Sequence, residues 1–531
     1  VLASVAGALE YYQSIFGPYP LDELVVVSCP RSFSQGLLGF VTLSTPAIVD
    51  WDIWTGLLGY QDRRLLIAHE LAHQWWGNQV GWWSYRDQWI SEAMANYAAL
   101  LYERNRLHGQ GERRVGLGPT SGWQEALGRL TASGRPVESL GPVTLGARLN
   151  SSLCGYAYQA IVYKKGAVVL DMLARLYGED IFLGMLRELV RAAEGRVIST
   201  DDFLTLLERL GGVELGWFRR QYVLGTGLPE VFYDYRIETL GEGRWAIEGE
   251  ARQQSTVVYR YRIERRSDGA LDVARQWEPR LDVAESILVV PIQIGIAHSP
   301  ADGGDAAAGG PFRGLLTGRL VLRGELSPFR LEVEQQPLIT WLDRGGEVLG
   351  RFFATARWPR RAALARGLDL ARSGAFAEAE AVWLAAFGEP VVTGDEQWLG
   401  EGFDVEASGR GFDTSLHVLL ARLYLDLGRL DAAAERIELA RAGLRREDRW
   451  QFEGELLALE ARLAIVGGRP EQALRELRRT RGRDAQLASA EVAALDAIAS
   501  HLAGAPDEWA AACRDARSRG VDLGPLACPA E

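Results

Sequence analysis

Lysine is nearly missing from this chain: it occurs only at Lys164 and Lys165, and arginine supplies every other basic side chain. We read this as a genomic bias toward arginine codons. No basic run occurs and the formal net charge is -12, which argues against a nucleic-acid partner or a polybasic membrane contact. No stretch approaches the roughly 20 uninterrupted apolar residues of a membrane helix. Cysteine is scarce, with Cys29, Cys154, Cys513 and Cys528 making up the set. None stands in a Cys-x-x-Cys pair, so a cysteine metal site is not expected. Cys513 and Cys528 flank a short C-terminal segment and are placed to pair in an oxidising compartment. Four buried thiols fit the sequence equally well, so they fix no compartment. The first residue is Val1, not Met, and Val1–Glu10 carries no signal-peptide pattern. We therefore expect a processed product or a trimmed piece, and the localisation stays open.

What is present is an ordinary globular composition, 47% apolar and 24% charged, over 531 residues. That length exceeds one hydrophobic core and implies two to four domains. Three textures follow one another. Residues 1–228 read as mixed α/β. Helical patterns cover Ala3–Phe16, Arg63–Asn78, Asp87–Leu107, Gly155–Tyr177, Asp180–Glu194, Thr200–Leu210 and Leu215–Tyr222. Strand-like runs lie at Leu24–Ser28 and Phe40–Ser44. Residues 229–355 alternate apolar and polar, as in Tyr233–Glu238, Trp245–Glu250, Val257–Glu264, Ser286–Ile294, Gly318–Leu322 and Leu331–Glu334. This suggests a β-sandwich, with Ser299–Pro311 as an aperiodic loop. Residues 356–531 are helical and rich in Ala, Leu and Arg. A weak repeat of Gly then Ala recurs at Gly374…Ala379, Gly428…Ala433 and Gly468…Ala473, with a degenerate copy at Gly504…Trp509. Such spacing fits tetratricopeptide-type helical hairpins, with a plain helical bundle as the lesser alternative. The fold class expected is thus multidomain α+β.

The chemistry concentrates in Ala68-His69-Glu70-Leu71-Ala72-His73-Gln74-Trp75-Trp76-Gly77-Asn78. Positions i and i+4 of a helix share one face, so His69 and His73 can point two imidazoles at one Zn2+ ion. Glu70, beside them, is placed to take a proton from a metal-activated water. Histidine is rare here, six in all, so a chance His-Glu-x-x-His is improbable. Glu92 lies early in a second helix among mostly apolar neighbours, and a carboxylate there completes a His2Glu set with the fourth position open. Asn96, one turn on, is a candidate hydrogen-bond partner for a ligand histidine, though packing explains it as well. Tyr156, Tyr158 and Tyr163 follow on an amphipathic segment, where packing is the commoner role and a phenol donor to an oxyanion the alternative.

These residues resemble the aminopeptidase N (alanyl aminopeptidase) family of gluzincin zinc peptidases. His69–Asn78 is similar to the family's HELAHQWFGN, and the 18 residues between His73 and Glu92 match its spacing to a Trp-Leu-Asn-Glu motif, here Trp89-Ile90-Ser91-Glu92. Tyr163-Lys164-Lys165-Gly166 is similar to the family's Tyr-x-Lys-Gly, whose tyrosine stabilises the oxyanion. Tyr158 matches another recurrent family tyrosine. The resemblance implies a thermolysin-like catalytic domain over 1–228, one zinc, a peptide substrate, ligands His69, His73 and Glu92, Glu70 as general base and Tyr163 as oxyanion donor. It reaches the later domains only in general architecture.

Two departures stand out. The family carries Gly-x-Met-Glu-Asn on an edge strand, where the glutamate binds the substrate's α-amine. The matching stretch here, Phe33–Thr42, holds no acid. Its backbone, at Gly36, Leu37, Leu38 and Gly39, remains suited to pair with a peptide strand. The family's N-terminal β-sheet domain, which supplies a further amine-binding side chain, is also missing from this sequence. Zinc hydrolysis of peptides is the expectation, without a settled exopeptidase preference. The rival is a catalytically weak zinc-binding protein whose C-terminal helices bind a protein partner.

Overall fold

The computed structural model describes residues 1–31, 33–45, 48, 63–109, 121–128, 137–151, 156–241, 243–254, 257–279, 285–296, 314–356, 359–387, 412–444, 449–480, 489–526 and 528. The loop expected at Ser299–Pro311 and Cys154 lie outside them. The chain packs as two compact units, Val1–Thr256 with Leu281–Ala354, and Val257–Arg280 with Thr355–Glu531. The textures alone suggested a three-way division at 228 and 355. The first two of those regions fall in one unit, apart from one hairpin that joins the C-terminal helices.

The first unit opens with α1 (Leu2–Phe16) and a small sheet of β1 (Val25–Cys29), β2 (Gln35–Leu37) and β3 (Phe40–Ser44). Its strand order is β1-β3-β2, so β2 is an edge. Two helices follow, α2 (Arg63–Ala72) and α3 (Gln88–Gly109), with the short β4 (Val80–Trp82) between them. Helix α2 is shorter than its apolar periodicity suggested. After Ala72 the turn tightens: Gln74 N donates to Leu71 O at 3.0 Å and Trp75 N to Ala72 O at 3.1 Å. Gly77 then takes φ +105, a conformation costly for a side-chain-bearing residue, and the chain reverses into β4. Trp75, Trp76, Trp89 and Tyr97 are fully buried around this reversal. Truncating one such ring costs about 3–5 kcal/mol, so the geometry of the α2–α3 pair is firmly set.

Beyond α4 (Ser121–Gly128) the expected long helix at Gly155–Tyr177 is instead a π-turn, Gln159–Lys165, running into α5 (Gly166–Tyr177). Helix α6 (Glu179–Ala193), β5 (Arg196–Ile198) and α7 (Thr200–Gly211) complete the helical part. Ser199 and Asp202 cap α7 reciprocally, the arrangement that satisfies two orphan backbone donors at a helix start. Trp89 Nε1 donates to Thr200 Oγ1 at 3.0 Å, and Thr200 is held in turn by Asp87. A second π-turn, Arg219–Val223, leads into the strands.

These strands form two sheets. β6 (Glu230–Gly241) and β7 (Arg244–Gln254) pair antiparallel. With β12 (Leu326–Val333) and β14 (Arg351–Ala354) they give the order β12-β7-β6-β14. The other sheet is β11-β10-β13, from β10 (Ile287–Ile296), β11 (Gly314–Arg323) and β13 (Pro337–Leu342). Tyr235 and Tyr233 of β6 accept hydrogen bonds from Thr340 N and Leu342 N of β13, tying the sheets together.

The remaining strands, β8 (Val257–Arg265) and β9 (Leu271–Pro279), form a two-stranded sheet, with one further bridge from Arg262 to Asp522, and belong to the second unit. Ile263, Leu271 and Val273 are buried among Leu457, Ala461, Leu474 and Leu495. Alternation showed that one face of this hairpin is buried, and the covering helices lie about 200 residues downstream. Among the described residues eight helices make four hairpins: α8 (Pro359–Arg372) with α9 (Phe376–Ala386), α10 (Phe412–Asp426) with α11 (Leu430–Gly443), α12 (Arg449–Val466) with α13 (Pro470–Thr480), and α14 (Ala490–Leu502) with α15 (Pro506–Ser518). Each turns on a left-handed glycine: Gly374, Gly428, Gly468 or Gly504. The next residue donates to a carbonyl five residues back in every case, as in Arg429 N to Tyr424 O at 2.8 Å, which is the Schellman closure. Ala379, Ala433 and Ala473 are fully buried. Cys513 and Cys528 are disulfide-bonded, and Cys29 is free.

Candidate metal centre

His69 sits in the last turn of α2 and His73 just past its end. The tight turn keeps both rings on one side. Their Nε2 atoms are 3.2 Å apart, with the ring planes crossed at 89°. Glu92, one turn into α3, brings Oε2 to 3.6 Å from His69 Nε2 and 3.5 Å from His73 Nε2. A tetrahedral zinc with ligand atoms about 2.0–2.1 Å away holds them about 3.3 Å apart, close to all three edges of this triangle. The donor set therefore fits the ion. His73 Nδ1 faces the Trp76 carbonyl at 2.9 Å. A carbonyl only accepts, so Nδ1 carries the proton and Nε2 keeps its lone pair for a metal. Ser91 Oγ donates to the same carbonyl at 3.2 Å.

The charges are tightly coupled in the metal-free site. Burial pushes Glu92 up, but hydrogen bonds from His69 and His73 hold it far below the usual carboxylate range. Burial likewise pulls His73 down, while Glu92 and Glu70 together lift it to about 9. Glu70 is buried, and desolvation raises it against the opposing pull of the two histidines and a Gly36 backbone hydrogen bond. A buried carboxylate raised in this way is a better proton acceptor than one in water.

Tyr163 stacks on His69, with ring centroids 5.8 Å apart. Tyr158 meets Tyr163 edge-on at 5.4 Å and hydrogen-bonds with it and with Gln88; burial pushes Tyr158 up to about 12. Asn96 is buried one turn beyond Glu92. A cavity of about 520 Å3 is lined by His69, Glu70, His73, Glu92 and Tyr163 with Phe33, Gln35, Leu37, Leu66 and Trp82, whereas Tyr158 and Asn96 stand behind its wall and do not line it. Among its described lining residues the only acids are Glu70 and Glu92.

Strand β2 lies directly on the site. A Cβ at Gly36 would stand 2.1 Å from the Glu70 carbonyl, so only glycine allows this approach. Gly36 and Leu37 line the cavity, whereas Leu38 and Gly39, expected beside them, form the two-residue turn to β3 and do not. Two side chains from the histidine motif hold this strand. Gln74 accepts from Gly39 N and donates to Leu37 O, both at 2.9 Å. Asn78 Nδ2 donates to Gly36 O at 3.2 Å and to His73 O at 2.7 Å. Sequence reasoning passed over Gln74, Asn78 and Ser91. The signal available was three polar residues set in a run of tryptophans and other apolar groups.

Residues 2–222 match the Peptidase family M1 domain. The chain is 26% identical over 263 residues to Aminopeptidase M1-B of Oryza sativa subsp. japonica, covering 45% of this chain and 28% of that one. It is 27% identical over 205 residues to Leukotriene A-4 hydrolase of Xenopus laevis, covering 38% and 31%. A solved M1 zinc metallopeptidase from Deinococcus radiodurans, bound to a Tyr-Ser-Ala substrate, is 28% identical, with coverages of 42% and 44% and a TM-score of 0.33. The chain thus spans under a third of the length of these two curated relatives. Residues 2–222 are thus similar to the peptidase family M1 domain, and the relatives that share this stretch include M1 aminopeptidases.

Proposed function

We propose that the chain is a zinc-dependent peptidase, with one ion held by His69, His73 and Glu92. The observation that carries this reading is the ligand triangle of 3.2, 3.5 and 3.6 Å, with Glu70 and Tyr163 lining the same cavity. Zinc bound there supplies Lewis-acid polarisation of water and of the scissile carbonyl. Glu70 takes the proton of the attacking water and hands it to the leaving amine. Tyr163 donates its phenol to the developing oxyanion. Strand β2, at Gly36 and Leu37, forms the wall along which the substrate lies, and Gln74 and Asn78 hold that wall rigid through its carbonyls. A purely structural zinc needs neither Glu70 nor Tyr163, which weighs against the inactive reading. The sheets β12-β7-β6-β14 and β11-β10-β13 are read as a β-sandwich. The four hairpins are read as tetratricopeptide-like, and they are the part that would meet a protein partner.

The acid-poor lining extends the proposal to specificity. A free α-amine entering a low-dielectric cleft without a carboxylate partner carries a large desolvation cost. The peptidase therefore cleaves N-acetylated and free forms of one peptide about equally well. A digest of both forms by the zinc-loaded chain, read by mass spectrometry, tests this. A preference for the free form above about tenfold, roughly 1.4 kcal/mol, means that an anchor exists. No cleavage of either form removes the peptidase reading altogether.

A further inference from the structure

Lys165 and Glu138 form an ion pair at 2.7 Å, with 1% and 4% of their side chains exposed. Neither lines the cavity, and the proposed chemistry uses neither. The pair is nevertheless bonded to a third segment. Lys165 Nζ also donates to Gly225 O at 3.2 Å, and Glu138 Oε2 accepts from Gly227 N at 2.7 Å. One knot of hydrogen bonds therefore joins the helical turn Val137–Leu140, the π-turn Gln159–Lys165 and the stretch that follows the second π-turn.

Stability alone does not account for charges buried this deeply. Desolvating both ions offsets most of their attraction, and a well-packed apolar pair usually holds a fold as well. An ion pair with fixed hydrogen bonds adds direction. The choice of residue points the same way. Of 58 basic side chains only Lys164 and Lys165 are lysine, so the bias toward arginine is broken in this one turn. A compact ammonium with three donors suits a slot that the planar arginine fork does not fill in the same way.

Lys165 closes the π-turn that carries Tyr163 two residues earlier. There Gly166 N reaches back five residues to Ile161 O. A π-turn holds one residue more than the α-helix and is rare. Losing that excess would swing Tyr163 by about 100° around the axis relative to α5. On the side facing α3 the segment is pressed close, since a Cβ at Gly166 would lie 2.6 Å from the Cβ of Ala93, the neighbour of Glu92. The turn is therefore fixed between the helix of Glu92 and the buried ion pair. The geometry points to Lys165 and Glu138 as a positioning pair that holds the Tyr163 phenol against His69 in the candidate site. This rests on the proposed role of Tyr163.

The test is a double-mutant cycle on kcat with the full, zinc-loaded chain and one peptide substrate. Lys165→Met should lower kcat by about 10- to 100-fold, with KM within about threefold and zinc unchanged. In a Tyr163→Phe background the same substitution should change kcat by less than about threefold, because the group being positioned is gone. A merely structural role would give the same factor in both backgrounds, and that result, or no change in either, overturns the inference. Should Lys165→Met lose the fold, the pair Lys165→Met with Glu138→Gln replaces it in the same cycle, with the same two outcomes. That pair leaves no buried charge unmatched and keeps an acceptor for Gly227. Full activity of Tyr163→Phe alone would instead remove the proposed chemistry, so the two failures are separable.

Discussion

In the first unit the backbone departs from regular geometry close to the candidate site. Helix α2 breaks at Ala72, Gly77 turns left-handed, and a π-turn carries Tyr163. In the second unit one closure repeats four times, glycine by glycine, and buried charge is spent on architecture. Arg462 binds Asp272 of β9 through two hydrogen bonds of 2.9 and 3.0 Å and reaches Asp426 at 2.7 Å. Arg422 pairs with Glu491 at 2.5 Å between α10 and α14. Regular elements repeat because neighbour packing stabilises them. Irregular ones persist where the surrounding structure holds them for another purpose. Substitutions in the irregular region should therefore act on turnover, and those in the regular region on stability.

The largest effect expected is on the regular side. Removing residues 359–531 strips the helices that cover Ile263, Leu271 and Val273 and leaves an apolar hairpin face open. The remainder should aggregate or bind a hydrophobic dye strongly. A soluble, dye-silent remainder would show that the hairpin needs no helical cover. Next, Tyr163→Phe should lower kcat by about 10²–10³-fold with zinc content and unfolding midpoint unchanged. Arg462→Met should do the reverse, because it leaves Asp272 buried beside a lost partner. We expect about 3–5 kcal/mol of stability to be lost in denaturant unfolding, with kcat of the folded chain unaltered. A turnover defect in Arg462→Met, or a stability defect in Tyr163→Phe, would blur the division.

The smallest effect concerns protons. With no metal, His73 is held up at about 9 against an ordinary 6.5, since the carboxylates outweigh burial. Its protonated form thus stabilises the metal-free fold fully below about 6.5, and that contribution is lost as pH rises through about 9. Zinc competes for the same nitrogen. Near pH 7.5 its binding should release close to one proton, measurable by calorimetry in two buffers of different ionisation enthalpy. No release would mean that His73 is already neutral.

Much of this was legible in the chain. The i, i+4 histidines and the acid among apolar neighbours pointed to a candidate metal site, and the structure brings those three residues into one triangle. The strand at Phe40–Ser44 and the helix at Thr200–Gly211 were readable because period and caps agree. The end of α2 was not, since His73, Trp75 and Trp76 continue a helical pattern of burial after the backbone has turned. Nor was the allegiance of β8 and β9. Alternation shows that a face is covered and is silent about which distant element covers it. The Lys165–Glu138 pair joins residues 27 apart, and no local pattern links them. The motif polars Gln74 and Asn78 act on a strand more than 30 residues upstream, a relation only the fold creates.

The central claim is that His69, His73 and Glu92 hold one zinc on which Glu70 acts as proton carrier. It is tested most directly by measuring metal content and peptide turnover together for the native chain and for Glu70→Gln. The account predicts close to one zinc per chain in both, with turnover lost by on the order of 10³–10⁴-fold in the variant. A variant with full turnover, or a native chain that binds no zinc, would contradict it.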